Sequence, residues 1–196
     1  MVKRIEELGW GRIFVIERPN IYEGEPWGFD NGAFMAWRRG ERFDEDKYLW
    51  RLERNLRVCR APPLLAVLPD IVAGGRESFE YSLTWVQRLP VEWPWYLALQ
   101  DGMDPADVER EIWQFDGLFL GGTNEFKGRT AEKWIALARK HGKPFHFGRC
   151  GTLKKLDAAI RWGVDSLDSA LPLWSMEKFD GFVERYRFGN PQLSLF

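Results

Sequence analysis

Leu64-Leu65-Ala66-Val67-Leu68-Pro69-Asp70 is the stretch that decides the fold. Its apolar residues follow one another without a polar break, then meet a proline and an acid. A strand with one wet face alternates; an unbroken apolar run marks a sheet buried on both faces. Trp95-Tyr96-Leu97-Ala98-Leu99 repeats the pattern and ends in Gln100-Asp101-Gly102. Gly117-Leu118-Phe119-Leu120 repeats it again and ends in Gly121-Gly122-Thr123. Amphipathic stretches separate these runs. One reads as a helix from about Glu77 to Leu89, and another opens at Asp104-Pro105, an N-cap followed by proline at the first helical position.

Working outward, the C-terminal half continues the alternation. The pattern predicts a helix from about Thr130 to His141, ended by Gly142, and then Phe145-His146-Phe147 running into Gly148-Arg149-Cys150-Gly151-Thr152. Thr152 caps a helix to about Trp162, closed by Gly163. A strand from Asp165 to Ala170 follows, then a last helix from about Met176 to Arg187 and a polar tail. Toward the N-terminus, Arg12-Ile13-Phe14-Val15-Ile16 reads as the first strand, ended by Pro19 and Asn20. Trp27-Gly28-Phe29-Asp30-Asn31-Gly32-Ala33-Phe34 sets Asp30 among small residues that let backbone and ligand come close. Asp44 is the N-cap of a helix to about Cys59, whose Arg51, Arg54 and Arg57 form a basic, solvated stripe.

Strict alternation of short buried strands and helices gives a parallel sheet with right-handed crossovers. Asp30, Asp70, Gln100, Gly121, Arg149 and Asp168 stand at six consecutive strand ends. That distribution suits a closed barrel, where the ends converge on one mouth, better than an open sheet with one switch point. The expectation is an α/β fold, a compact (β/α)8 TIM-type barrel formed by a single domain over residues 1–196. Seven strands are legible, so the eighth stave is irregular or missing.

Composition narrows the function. The 196 residues are 45% hydrophobic, enough for one sizeable core. No apolar run is long enough to cross a bilayer, and Met1-Val2-Lys3-Arg4-Ile5-Glu6-Glu7 has no apolar signal core, so a cytoplasmic address is expected. Cys59 and Cys150 are too few for a disulfide framework or a cysteine-rich zinc site, and no metal or other cofactor is expected. Net charge is −1, so a polyanion would have to be met by a local patch. The eleven Trp are core or platform residues, some available to stack on bases.

Asp30, Asp70 and Asp168 are carboxylates at three strand ends. Asp165 and Asp168 lie three apart, so in a strand they face opposite sides; Asp168, at the C-terminal end, is the one placed for chemistry. Two converging carboxylates suit glycoside chemistry, one attacking the anomeric carbon and the other handling the leaving group's proton. The third, with Gln100 and the Gly121-Gly122 amides, matches the donors and acceptors of a guanine-type edge. Strand-end aspartates also cap helices and close turns, and pattern alone leaves that reading standing.

These residues resemble the tRNA-guanine transglycosylase superfamily, most closely its compact phage and bacterial relatives linked to 7-deazaguanine modification of DNA. Asp30-Asn31-Gly32-Ala33-Phe34 resembles the family's Asp-Ser-Gly-Gly-Phe, which implies that Asp30 is the general acid/base. Pro69-Asp70, followed by the Ser78 to Trp85 segment, resembles the base-recognising Asp and its Ser-rich helix. Leu99-Gln100-Asp101-Gly102 is similar to Val-Gln-Gly-Gly, and Leu120-Gly121-Gly122 to the Ile-Gly-Gly turn that meets the base carbonyl. Gly163-Val164-Asp165-Ser166-Leu167-Asp168-Ser169 resembles Gly-Ile-Asp-Met-Phe-Asp-Cys, which implies that Asp168 is the nucleophile. The resemblance covers most of the chain.

The resemblance implies exchange of guanine for a 7-deazaguanine through a glycosyl-Asp168 intermediate, in DNA or in a guanine nucleotide. Two alternatives stand beside it: hydrolysis of the same N-glycosidic bond, and a non-catalytic module that keeps a guanine or nucleic-acid site. The family's zinc-binding insertion is lacking, and Leu171-Pro172-Leu173-Trp174-Ser175 replaces its Arg-rich segment, so tRNA is expected to be a poor substrate. Asp101 replaces a glycine beside the base pocket. Lys127 and Arg129, read as a loop after a strand end, are the candidate phosphate contacts, and Arg149 is placed at the mouth facing Asp168 or a phosphate. His141 reads as a helix C-cap, His146 as core or mouth packing, and Cys150 as a buried inert thiol.

Overall fold

The computed structural model describes residues 2–14, 26–59, 61–89, 92–189 and 194–195. Strands β1 (Arg12–Phe14), β2 (Trp27–Phe29), β3 (Leu65–Val67), β4 (Trp95–Leu99), β5 (Gly117–Leu120), β6 (Phe145–Phe147), β7 (Ser166–Leu167) and β8 (Ser194–Leu195) form one sheet. Every neighbouring pair is parallel, and spatial order equals chain order. Helices α1 (Val2–Glu7), α2 (Ala33–Arg38), α3 (Glu45–Val58), α4 (Gly75–Val86), α5 (Pro105–Arg110), α6 (Asn124–Lys140), α7 (Leu153–Trp162) and α8 (Met176–Gly189) lie between and around the strands.

The sheet curls strongly. Arg149, just after β6, holds its guanidinium 3.8 Å from the ring of Phe34 in α2, just after β2. In a flat sheet four strand spacings, about 19 Å, would separate those strands. Closure does not follow: among the described residues no ladder joins β8 to β1. The expected closed barrel is therefore corrected to a curled, open, all-parallel α/β sheet. The two short strands β7 and β8, of two residues each, form the incomplete side. The segment read as a polar tail supplies β8.

Register explains the unbroken apolar runs. Ile13, Gly28 and Leu65 are in register, as are Ala98, Phe119, His146 and Ser166. Leu65, Val67, Tyr96 and Ala98 form a small inner cluster with Ile13 and Phe119. The alternate residues Ala66, Leu97, Leu118, Phe145 and Phe147 belong to the larger core between sheet and helices. Both faces are thus dry. Gly28 is the narrow stave: a Cβ there would lie 3.0 Å from Ile13 Cγ1.

The helix ends follow local chemistry. Asp44 accepts from the Lys47 N–H at 2.9 Å, Asp104 from Ala106 at 2.9 Å, and Thr152 from Lys155 at 3.2 Å. Gly163 closes α7 in the left-handed region, with φ 62°. Two readings change. α6 begins at Asn124, capped by Thr123, six residues before the expected start at Thr130. Gly128 reads as a break in the sequence, yet one helical glycine costs only about 1 kcal/mol. The short helix α2, directly after Asp30, was not read from the sequence at all. Pro19 and Asn20 lie outside the described residues. Cys59 and Cys150 are free thiols, and no described helix is long and apolar enough to cross a membrane.

Candidate active site

The C-terminal ends of β2, β3, β4, β6 and β7 bring Asp30, Asp70, Gln100, Arg149 and Asp168 to one end of the sheet. Two sub-sites result. In the first, Asp30 and Asp168 line a cavity of about 330 Å³ that continues between β1 and the segment after β7, past Phe14, Trp10 and Leu173. Asp30 is set by its neighbours: its N–H donates to Phe14 O at 2.9 Å, and its Oδ1 accepts from the Gly32 N–H at 3.1 Å. Burial pushes its carboxyl up to about 6; the Gly32 N–H opposes this, and the charge of Asp168 adds to it.

Asp168 goes the other way. Its Oδ1 accepts from the Arg149 N–H at 2.9 Å and lies 3.1 Å from His146 Nε2. Burial acts to raise its carboxyl, but the hydrogen bond and charge of His146, the Arg149 N–H and the nearby Lys127 charge outweigh burial and hold it below the usual carboxylate range. Its main chain is fixed as well, with the Cys150 N–H donating to Asp168 O at 2.7 Å.

The second sub-site is closed on itself. Asp70 is 5% exposed and Gln100 4%. Asn31 Nδ2 donates to Asp70 Oδ1 at 2.6 Å, and Gln100 Nε2 donates to Asp70 Oδ2 at 2.5 Å. The Ala73 N–H donates to Gln100 Oε1 at 3.2 Å, which fixes the orientation of that amide. Burial pushes Asp70 up to about 7, against the Asn31 and Gln100 donors. Gly121 packs on the Gln100 amide, where a Cβ would lie 2.8 Å from Nε2. Gly122 has φ 67°, and its carbonyl accepts from Arg149 Nη2. Asp101 is spent on the same turn, accepting from the Thr123 N–H at 2.7 Å.

Arg149 ties the two halves together. It has φ 56°, a left-handed backbone that side chains with a Cβ rarely adopt, and such strain gathers at functional sites. Its charge faces Asp168, Asp30, Asp70 and Asp101. The paired expectation for Lys127 and Arg129 needs correction on position. Neither is in a loop; both are in α6. Lys127 is 2% exposed and donates to Gly148 O, so its ammonium supports the β6 loop from beneath rather than meeting solvent. It lies on the α6 face shared with Phe126, Ala131 and Trp134, which packs inward. Arg129 is exposed and pairs with Glu125 at 3.2 Å.

No family model matches the chain. Searches of curated proteins and of solved structures return no match either.

Sequence reasoning missed three contributors. His146 was read as packing, yet it touches Asp168. Ser166 and Asn31 were given no role. The signal for His146 was present: in Phe145-His146-Phe147 the alternation turns His146 to the face opposite both phenylalanines, toward the interior. Asn31 closes its own turn, accepting from the Ala33 N–H at 2.8 Å, and uses its amide on Asp70. Among the described residues no three His, Cys, Asp or Glu side chains gather as a metal site.

Proposed function

We propose that the chain is a guanine-exchanging N-glycosyl transferase, replacing guanine by a 7-deazaguanine in DNA or a guanine nucleotide. One observation carries the reading: Asp30 and Asp168 border one cavity, with Asp30 biased toward its acid form and Asp168 toward its ionised form. Carboxyl pairs whose surroundings push their proton affinities apart divide into acid and nucleophile. The resemblance of five segments to the tRNA-guanine transglycosylase superfamily supplies the substrate class. The fold is read with it, as a TIM-type barrel with its seam between β8 and β1.

In this reading Asp168 attacks C1′ of the nucleoside. The C1′–N9 bond breaks, its electron pair stays on the departing guanine, and Asp30 delivers a proton to that base. A glycosyl ester on Asp168 remains. The incoming deazapurine gives a proton to the Asp30 carboxylate, attacks C1′ and releases Asp168. Asp70, Gln100 and the Gly121-Gly122 amides read the base edge, and Arg149 meets the substrate from the β6 loop. In a duplex the target nucleotide must be flipped out.

Hydrolysis is the second reading, and a specific feature favours it. The Asn31, Asp70 and Gln100 side chains satisfy one another, so an incoming base has to open that cluster. If it stays closed, water resolves the ester. Incubation with labelled guanine and single-stranded DNA, duplex DNA, tRNA or GTP separates the readings. Label entering DNA or GTP without net base release supports transfer; release of guanine without incorporation supports hydrolysis. Robust labelling of tRNA would contradict the proposed substrate class, and inertness toward every substrate would leave the binding-module alternative.

A further inference from the structure

We infer that His146, oriented by Ser166, is the positioning residue for Asp168: it fixes one carboxylate oxygen from inside the sheet and leaves the other facing the cavity. The inference rests on the reading of Asp168 as the attacking group, and goes beyond it by assigning work to two residues that touch no substrate.

The geometry is a chain of three. Ser166 Oγ lies 2.8 Å from His146 Nδ1, and His146 Nε2 lies 3.1 Å from Asp168 Oδ1. An ionised carboxylate only accepts, so Nε2 must carry a hydrogen; in a neutral ring Nδ1 then accepts from the Ser166 hydroxyl. Each link fixes the next. His146 is 0% exposed, and its ring stacks on Phe119 at 4.7 Å between centroids, tilted 16°. The stack and the two hydrogen bonds together hold the ring plane. Its neighbours in register, Phe119 and Ser166, are on β5 and β7, so the donor is aimed by three adjacent strands. The apolar cluster of Leu65, Val67, Ala98 and Phe119 shares this layer, and a buried polar ring there is costly unless its hydrogen bonds are made.

Asp168 Oδ1 is therefore held by the His146 ring and the Arg149 N–H. No donor among the described residues meets Oδ2, and the side chain keeps 23% of its surface exposed. A nucleophile needs this division: one oxygen anchored, the other bare. Besides His146, the groups facing Asp168 are Lys127 from α6, Arg149 and Cys150 from the β6 loop, and Asp30 from beyond β2. Burial and the Lys127 charge keep the imidazole below its usual titration range, against the pull of Asp168. It thus acts as a fixed donor.

Ser, His and Asp in a hydrogen-bonded row also describe a serine nucleophile with its base. Here the order is turned around. Ser166 is 8% exposed in the inner layer, and the carboxylate is the member that reaches the cavity.

The test reads Asp168 directly, by carbon NMR titration of 13C-aspartate-labelled protein, with Asp168→Asn to assign the signal. His146→Phe keeps the ring stack and removes the donor. The carboxyl of Asp168 should then titrate about one to two pH units higher, the range for losing one hydrogen bond to a charged group. His146→Gln, whose amide N–H stands in for Nε2, should return most of the shift; if His146→Phe does not fold, His146→Leu, which likewise has no donor, takes its place. Ser166→Ala should move the signal less, in the same direction. An unmoved Asp168 signal in the variant that lacks the donor overturns the inference. So does labelling of Ser166 by a fluorophosphonate, which would make it the nucleophile. None of these readouts needs turnover, so an inactive wild-type protein with a shifted Asp168 signal would sink the transferase reading and leave the positioning role standing. Where exchange is measurable, His146→Phe should lower kcat about tenfold to a hundredfold, move its acid limb upward and leave the KM for guanine nearly unchanged.

Discussion

Asp30 and Asp168 follow strands five places apart in the sheet and nevertheless border one cavity. Curling of the sheet makes them neighbours, and their surroundings make them unlike. Asp30 has only backbone N–H groups of its own turn, Gly32 foremost, on its carboxyl and is pushed up by burial; Asp168 has the His146 ring and the Arg149 N–H on one oxygen and is held down. Asp168→Asn should abolish guanine exchange, because an amide oxygen does not form the ester. Asp30→Asn should lower kcat by about 10²- to 10⁴-fold, the range for losing a general acid/base. Both variants should keep the circular dichroism of the parent. Equal, small losses would mean that neither carboxyl does chemistry.

The buried Asp70 gives the protein a pH-dependent stability of definite sign. Its folded carboxyl is raised to about 7 from 3.8. Below 3.8 both folded and unfolded chains hold the proton. Between there and about 7 only the folded chain holds it, so folding becomes less favourable as pH rises. Urea midpoints should fall from pH 4 to pH 7, by at most about 1.4 kcal/mol per pH unit for one proton. Asp30 adds a fall of the same sign up to about 6. Asp70→Asn should flatten the slope; an unchanged slope would remove Asp70 as its source.

Lys127 acts in the opposite direction at higher pH. Burial lowers its ammonium to about 7 from 10.5. Between those values the unfolded chain keeps the proton and the folded chain does not, so stability should rise with pH across that window. Lys127→Met should remove the rise. It should also loosen the β6 loop, since the ammonium donates to Gly148 O, and amide exchange at Arg149 and Cys150 reads that loosening.

Legibility in the sequence followed the reach of each force. The buried strands were visible because two dry faces require unbroken apolar runs, and the caps Asp44, Asp104 and Thr152 were visible because their chemistry is local. Six strand-end positions were also legible, since a parallel sheet sends every C-terminal end the same way. What failed was non-local or short. β8, in the tail, pairs over only two residues with β7. Lys127 beside a glycine looked like a loop, although tertiary burial of the α6 face decided its fate. The alternation of Phe145-His146-Phe147 gives the direction of His146 but not its partners, which lie twenty and twenty-two residues away. The closure of Asp70 by Asn31 and Gln100 joins three strand ends and no single segment predicts it.

That closed cluster is itself measurable. Gln100→Leu strips Asp70 Oδ2 and the Ala73 N–H of their partner at once. The buried Asp70 oxygen left unpaired costs about 1–3 kcal/mol, so the urea midpoint should drop accordingly. Asn31→Ala should cost a similar amount, and the double variant should depart from additivity because both amides serve one carboxyl. Additive losses would mean that the two contacts are independent of each other.

In the proposed exchange Asp168 carries the sugar between two bases. Acid quenching of the protein with the DNA or nucleotide substrate that supports exchange, followed by intact mass measurement and peptide mapping, reads that step. A glycosyl adduct is expected on the peptide containing Asp168, absent from Asp168→Asn and discharged by added guanine. A substrate that turns over while the adduct forms on another residue, or with inversion at C1′ and no adduct at all, would contradict it.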